Sequence, residues 1–355
     1  MTGDHALEEL VRAVAPLADD VVAREAQAAL DAKTKPRGSL GTLEQLAVRI
    51  AVVSGDAQPR PLDPAVVVAA GDHGVAAEGV SAYPREVTGQ MLANFRAGGA
   101  AVAVLCRQAG ARLVVVDAGV LEPPRVPGIL DLSLGRGTAN AAVGPAMSRA
   151  IAVDGVVRGA ELGRRLVEEG AGVVALGEMG IGNTTAAAAL TAALLGCDPA
   201  AACGRGTGLD EAGVARKVEI VHRMLAVNHT APDDPVGALA AVGGFEVAVL
   251  TGVALGAAAG RAVVLLDGFI STVAALVGAC VAPPLVGYLV AAHRSPEPGH
   301  RLVLDALGLE PLLDLRLRLG EGSGAALALP LLAAARAILV EMSTFADAGV
   351  SDTGR

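Results

Sequence analysis

Two glutamates in this chain stand where an acid is out of place. Each is flanked by glycines, between an apolar run and a stretch of small residues. The first is Glu178 in VVALGEMGIGNTTAAAAL, and the second is Glu321 in RLGEGSGAALALP. Glycine removes the Cβ where a ligand must approach backbone amides, and a helix start offers unpaired N–H groups to an anion. A turn built for phosphate alone would not carry a carboxylate. Each Glu is therefore expected to meet a cationic group or a proton to be removed, the work of a general base or a cation stabiliser.

The neighbouring residues extend the chemistry. GEMGIGNTT lacks the dinucleotide fingerprint, and no GxxxxGK[ST] loop occurs. The turn can still hold one phosphate through amides near Gly180 to Thr185, including Gly182, and through the side chains of Asn183 and Thr184. The plainer reading is a tight strand–helix connection with Thr as cap. A second glycine-rich loop, CGRGTGLDEAG, precedes a helix bearing Lys217. Lys33, Lys35 and Lys217 are the only lysines in an arginine-rich chain. Lys217 is either a point charge on a phosphate or a solvated helix residue.

GDHGVAAEGVSAYPREVTGQML contains His73, Tyr83 and a Pro84 expected at a helix start. A lone Asp72-His73 pair has no third ligand at metal spacing, so His73 reads as structural and no metal site is expected. Tyr83 is a candidate wall for a flat aromatic ligand. HRSPEPGH is polar and proline-rich within an apolar region, a loop whose Ser295 can point into a site.

These residues need a scaffold at whose edge they meet. From Ala65 onward, short β-branched runs alternate with Ala-rich helices. Candidate strands are 65–70, 112–119, 172–177, 262–268 and, less clearly, LDLRLRLG at 313–320. The pattern predicts an α/β fold with a Rossmann-like, doubly wound, mostly parallel sheet. Asp72, Asp117, Glu178, Asp267 and Glu321 each fall at or just beyond the C-terminal end of a candidate strand, where such sheets bind ligands. Acids there can also simply cap the following helices. Residues 7–55 read as helices, with Thr42 and Gln45 at capping-box spacing. A Pro-rich linker follows, DAQPRPLDP. The division expected is a small helical domain from 1–60 and 331–355, and a catalytic domain over 61–330.

Composition narrows the classes. The chain has 355 residues, 53 % hydrophobic, with a formal charge of −9. That charge and the lack of a basic patch exclude nucleic acid as the expected partner. Phe269 to Ala292 is uncharged and long enough to span a bilayer, but Pro283-Pro284 interrupts it and no aromatic belt flanks it. A buried helix and strand would look the same, so no membrane insertion is expected. The N-terminus lacks a signal-peptide pattern. The cysteines Cys106, Cys197, Cys203 and Cys280 show no CxxC spacing and read as small buried hydrophobes of a reduced compartment. The cytoplasm is the expected location.

Eight stretches, in order across nearly the whole chain, resemble the nicotinate-nucleotide:dimethylbenzimidazole phosphoribosyltransferase (CobT) family. They are KPRGSLGTLE, GDHGVAAEGVSAYPREVT, VGPAMSRA, LGEMGIGNTTAAAA, KVEIVHR, VGGFEVAVLTGVALGAA, VVLLDGFISTVAAL and RLGEGSGAALALP. The resemblance implies transfer of the 5-phosphoribosyl group of nicotinate mononucleotide to 5,6-dimethylbenzimidazole, giving α-ribazole 5′-phosphate and nicotinate with inversion at C1′. It implies Glu321 as general base on the benzimidazole N–H and Glu178 at the ribose. Gly180, Gly182, Asn183, Thr184, Lys217, Asp267 and Ser295 fall to phosphate and ribose. Tyr83, Gln90, Met91, Arg318, Leu319 and Gly320 fall to the base pocket. The implied reaction needs no cofactor, because the pyridinium leaving group is already cationic. The implied assembly is a homodimer, and the implied partners are the two small molecules. Where some relatives carry Ser and Gln, this chain reads YPREVTGQM, which leaves adenine or an unsubstituted benzimidazole open as acceptors. A non-catalytic nucleotide sensor on the same fold is the alternative, and it would need a damaged site.

Overall fold

The computed structural model of the chain describes residues 3–17, 20–206 and 208–351. Thr207 of the second glycine-rich loop and the outermost residues of the small-domain expectation lie outside them. The β-branched runs form one sheet: β1 (Ala65–Gly71), β2 (Arg112–Gly119), β3 (Leu130–Asp131), β4 (Val173–Met179), β5 (Val263–Leu266) and β6 (Leu289–Ala291). Its order is β3-β2-β1-β4-β5-β6, and every neighbouring pair is parallel. Every residue of β1 is buried, as expected where helices cover both faces of a parallel sheet. Chain direction across the sheet reverses between β1 and β4. That is the switch point at which doubly wound sheets open a crevice.

The helices are α1 (Gly3–Ala13), α2 (Asp20–Asp31), α3 (Thr42–Ser54), α4 (Glu86–Ala97), α5 (Ala101–Ala109), α6 (Arg149–Glu168), α7 (Asn183–Leu195) and α8 (Pro199–Ala202). They continue as α9 (Glu211–Asn228), α10 (Pro235–Val242), α11 (Phe245–Ala259), α12 (Phe269–Val281), α13 (Pro298–Leu307), α14 (Ser323–Glu341) and α15 (Phe345–Ala348). α11 packs on β1, β2, β4 and β5 and against α6. Small residues allow backbone contact in that pair: a methyl on Gly159 would sit 2.0 Å from Val249 O, and one on Gly252 2.0 Å from Val156 O. This close packing fits a chain whose interior is mostly Ala, Val, Leu and Gly.

The two chain ends meet. Lys33 bridges to Thr344, Lys33 Nζ donates to Met342 O over 2.6 Å, and Phe345 N donates to Ala32 O. α2 and α3 pack on α14, whereas α1 lies against α6 and α11 of the sheet layer. α14 itself is continuous across residue 330, with Pro330 inside it.

Phe269 to Ala292 resolves into α12, a 3₁₀ turn at Pro283–Tyr288 and β6, with α12 and β6 buried almost throughout and the turn partly exposed. Among the described residues one helix, α14, is long and apolar enough to cross a membrane by length and composition, and half of it is buried in the fold. Cys106 and Cys203 are buried as expected, but Cys197 is half-buried and Cys280 exposed.

Three local expectations are corrected. LDLRLRLG is not a strand; only Leu313 makes a bridge, to His293, and Leu315 and Leu319 are 55 % and 53 % exposed. Alternation alone cannot build a strand where no neighbour offers a ladder, and Arg316 breaks the run with a φ of +56°. Thr42 and Gln45 form no capping box, because the helix is capped at Gly41 without a side-chain bond. Glu44 instead accepts from Leu40 N and pairs with Lys35 at 2.8 Å. Pro84 lies before the cap of α4, which is Arg85.

Candidate active site

The two Gly-Glu turns interlock. β4 carries Gly177 and Glu178 to the C-terminal edge of the sheet, and the turn before α14 folds over them. A methyl on Gly177 would sit 2.6 Å from Gly322 N and 2.7 Å from the Glu321 carbonyl carbon. Each segment thus occupies space that only a glycine in the other leaves open. Gly320, Glu321 and Gly322 have φ of +79°, +64° and +84°, three left-handed residues in a row. Glycines adopt this freely, whereas Glu321 is held there at a cost of about 1–3 kcal/mol. Such backbone strain gathers at functional sites.

Asp267, just beyond β5, ties down this turn. Its Oδ2 accepts from Gly322 N over 3.2 Å and its Oδ1 from Ala325 N over 2.9 Å. The anion at the start of α14 is therefore the protein's own, and Asp267 sits beneath the site as its anchor. His293 Nε2 lies 3.7 Å from Asp267 Oδ1.

Glu178 and Glu321 are 7 % exposed. Burial pushes Glu321 up to about 7, with the Asp267 charge adding to it. Burial pushes Glu178 up to about 8, with Asp267, Glu246 and Glu321 all adding. Asp267 is raised as well, again chiefly by burial. A carboxylate near 7 is poised to take a proton at neutral pH, and one near 8 is mostly a neutral donor until a cation lies beside it.

The remaining expected residues arrange around these carboxyls. Asn183 does not point at an open anion site; its Nδ2 donates to Glu178 Oε2. Gly182 caps α7 at φ +98°, with no side-chain cap bond. Ile181 N donates to Thr88 Oγ1 and Asn183 N to Gly180 O, so part of the turn's amides is already committed. Lys217 is 1 % exposed, not solvated; its Nζ donates to Thr184 Oγ1 at 3.1 Å and Gly204 O at 3.0 Å. Burial lowers its pKa, opposed by the nearby Glu297.

Glu178, Gly180, Asn183, Thr184, Ser295, Arg318, Leu319, Gly320 and Glu321 line one cavity, of about 80 Å³. Past the shared residues Gly206, Glu297 and Arg318 it adjoins a hollow of about 790 Å³. Together they reach the size of a small-molecule site. Gln90 lines a separate hollow of about 450 Å³ with Asp72 and Leu121, over β1 and β2. Met91 packs against the core, and Tyr83 is 52 % exposed and lines none of these hollows. Among the described residues no group of three or more His, Cys, Asp or Glu could hold a metal ion.

Sequence reasoning missed His293, Glu297 and Glu246. Glu246 carried a readable signal, the one charged residue of an otherwise almost wholly apolar helix. His73, expected to be structural, is 1 % exposed and paired with Glu246.

Strand order and two buried acids brought together in a cavity at the C-terminal edge of the sheet define the class, an α/β protein with a crevice of small-molecule size. A phosphoribosyltransferase family model (DBI_PRT) matches residues 15–350. The nicotinate-nucleotide--dimethylbenzimidazole phosphoribosyltransferase of Roseiflexus sp. (strain RS-1) is 50 % identical over 346 residues, covering 97 % of this chain and 98 % of the relative. The enzyme of that name from Cupriavidus necator is 51 % identical over 339 residues, covering 95 % and 97 %. The crystal structure of CobT from Thermus thermophilus superposes with a TM-score of 0.89 at 50 % identity, covering 93 % of this chain and 99 % of that one. The chain belongs to this phosphoribosyltransferase family.

Proposed function

We propose that the protein moves the 5-phosphoribosyl group of nicotinate mononucleotide to 5,6-dimethylbenzimidazole, in assembly of the lower ligand of cobalamin. The observation that carries this reading is Glu321. It is buried, strained, pushed up to about 7 and set at the rim of a cavity whose other wall is Glu178. Glu321 takes the azole N–H proton, and the other ring nitrogen attacks C1′ from the face opposite the leaving group. The bond from C1′ to the pyridinium nitrogen breaks, its electron pair returns to that ring, and nicotinate leaves with a neutral ring. Lys217, with Thr184, faces the donor phosphate as a point charge. Glu178 sits at the ribose, where approach of a cationic donor favours its ionised form. Exposed Leu319 is an apolar surface for a flat acceptor, with Arg318 beside it.

The assembly implied is a cytoplasmic homodimer that takes small molecules, with neither nucleic acid nor membrane as partner. The bonds between Lys33, Ala32 and Met342, Phe345 support a small unit built from both chain ends. The test is chromatography of nicotinate release with and without dimethylbenzimidazole. Release that requires the azole supports transfer; no release at saturating ligand supports the sensor instead.

A further inference from the structure

His73 and Glu246, which the reaction above does not use, form a pair sealed under the floor of the site. They are 1 % and 0 % exposed, and His73 Nε2 and Glu246 Oε1 share a hydrogen bond of 2.7 Å. Glu246 Oε2 has no hydrogen-bond partner among the described residues. Burying such a carboxylate costs stability that an apolar pair of similar volume would not. Something other than packing has to account for it.

The surroundings of the pair indicate what. The imidazole stands directly behind the turn that joins β4 to α7. A methyl on Gly180 would come 3.4 Å from His73 Cδ2 and Nε2, and one on Gly182 3.2 Å from His73 Cβ. On the other side, a methyl on Gly244 would lie 2.3 Å from His73 Cε1, and one on Gly71 2.8 Å from Glu246 Oε2. The end of β1, the turn after β4 and the start of α11 therefore all close on one histidine–carboxylate bond. The turn rests on the Gly71 carbonyl, 2.4 Å from where a methyl on Gly180 would sit, and His73, whose Cβ borders Gly182, is held against the turn's flank by its bond to Glu246.

We propose that His73 and Glu246 are positioning residues for the phosphorylated donor, holding the Gly180–Asn183 turn at the height from which α7 and Thr184 meet its phosphate. This rests on the placing of Thr184 at the donor phosphate proposed above. The pair acts through the turn and touches no reacting atom. Its loss is expected to weaken donor capture more than the chemical step.

The experiment is steady-state kinetics of nicotinate release on the full chain, with thermal unfolding measured in parallel. The double variant His73→Leu/Glu246→Gln breaks the bond with little change in volume and leaves no lone buried charge. It is expected to fold and to raise KM for nicotinate mononucleotide about tenfold while kcat changes less than about threefold. His73→Gln places an amide Nε2 where the imidazole Nε2 stands, and is expected to return that KM to within about threefold of wild type. A folded double variant with unchanged Tm and wild-type KM overturns the proposal. So does a lowered Tm with both kinetic constants unchanged, which is what a purely structural pair would give. If wild type itself releases no nicotinate, the functional reading falls, and the inference goes with it.

Discussion

The Glu178 carboxylate and the Cα of Gly320 are in direct contact: a methyl on Gly320 would come 2.4 Å from Glu178 Oε1. Gly320 also holds φ +79°, where any side chain is strained. Gly320→Ala is therefore expected to displace Glu178, lowering turnover by about a hundredfold and stability by about 1–2 kcal/mol. Kinetics of nicotinate release and urea unfolding check the two effects. Wild-type turnover in this variant would remove Glu178 from the reaction.

Replacing Glu321 by Gln keeps its volume and its left-handed backbone but removes the base. Turnover with dimethylbenzimidazole is expected to fall about 10²–10⁴-fold, while the dissociation constant for nicotinate mononucleotide stays within about threefold. Calorimetric binding alongside the kinetics separates the two. A rate near wild type would end the general-base assignment.

The pH profile follows from the same group. Glu321 acts ionised and is pushed up to about 7, so kcat/KM is expected to fall tenfold per pH unit below about 7. In the Glu321→Gln variant the residual rate should lose that limb. An acid limb that persists unchanged would point to another base.

Glu178, pushed up to about 8, gives a prediction without catalysis. A cationic pyridinium beside it favours ionisation, so binding of nicotinate mononucleotide between about pH 7 and 8 is expected to release protons. Calorimetry in buffers of different ionisation enthalpy measures this directly. The fold also holds this proton more tightly than the unfolded chain does. The stability Glu178 lends is full below its ordinary 4.5 and is lost as pH rises through about 8. Glu178→Gln is accordingly expected to stabilise the ligand-free protein at about pH 8.5, on the order of 2 kcal/mol, and to do so much less at about pH 5.

Lys217 Nζ donates to Thr184 Oγ1 and Gly204 O, so its charge is oriented before any ligand arrives. Lys217→Met fills the same buried space without charge. The expected result is a 10- to 100-fold rise in donor KM, roughly one charge-assisted hydrogen bond, with smaller change in kcat. An unchanged KM would place the phosphate elsewhere.

The valine runs of β1, β2, β4 and β5 were legible because a strand covered on both faces has to be apolar throughout. β3 and β6, with two and three residues, are too short to leave a pattern. LDLRLRLG misled because alternation reports two unlike faces and not a hydrogen-bonded neighbour. Its exposed Leu319 instead lines the cavity. Within the site, glycine-flanked acids announced Glu178 and Glu321, since small neighbours of a buried acid have few other uses. Their partners could not be read. That Asn183 turns to Glu178, or that Asp267 seals the start of α14, depends on tertiary placement that no local spacing encodes.

The clasp between Gly177 and the Glu321–Gly322 backbone has a bearing on recombination with relatives. Two stretches far apart in the gene make a single mechanical part, each missing a methyl where the other passes. Crossover points that inherit β4 from one parent and the entry to α14 from another put that fit at risk. Chimeras that draw both from the same parent are the ones expected to keep the crevice intact.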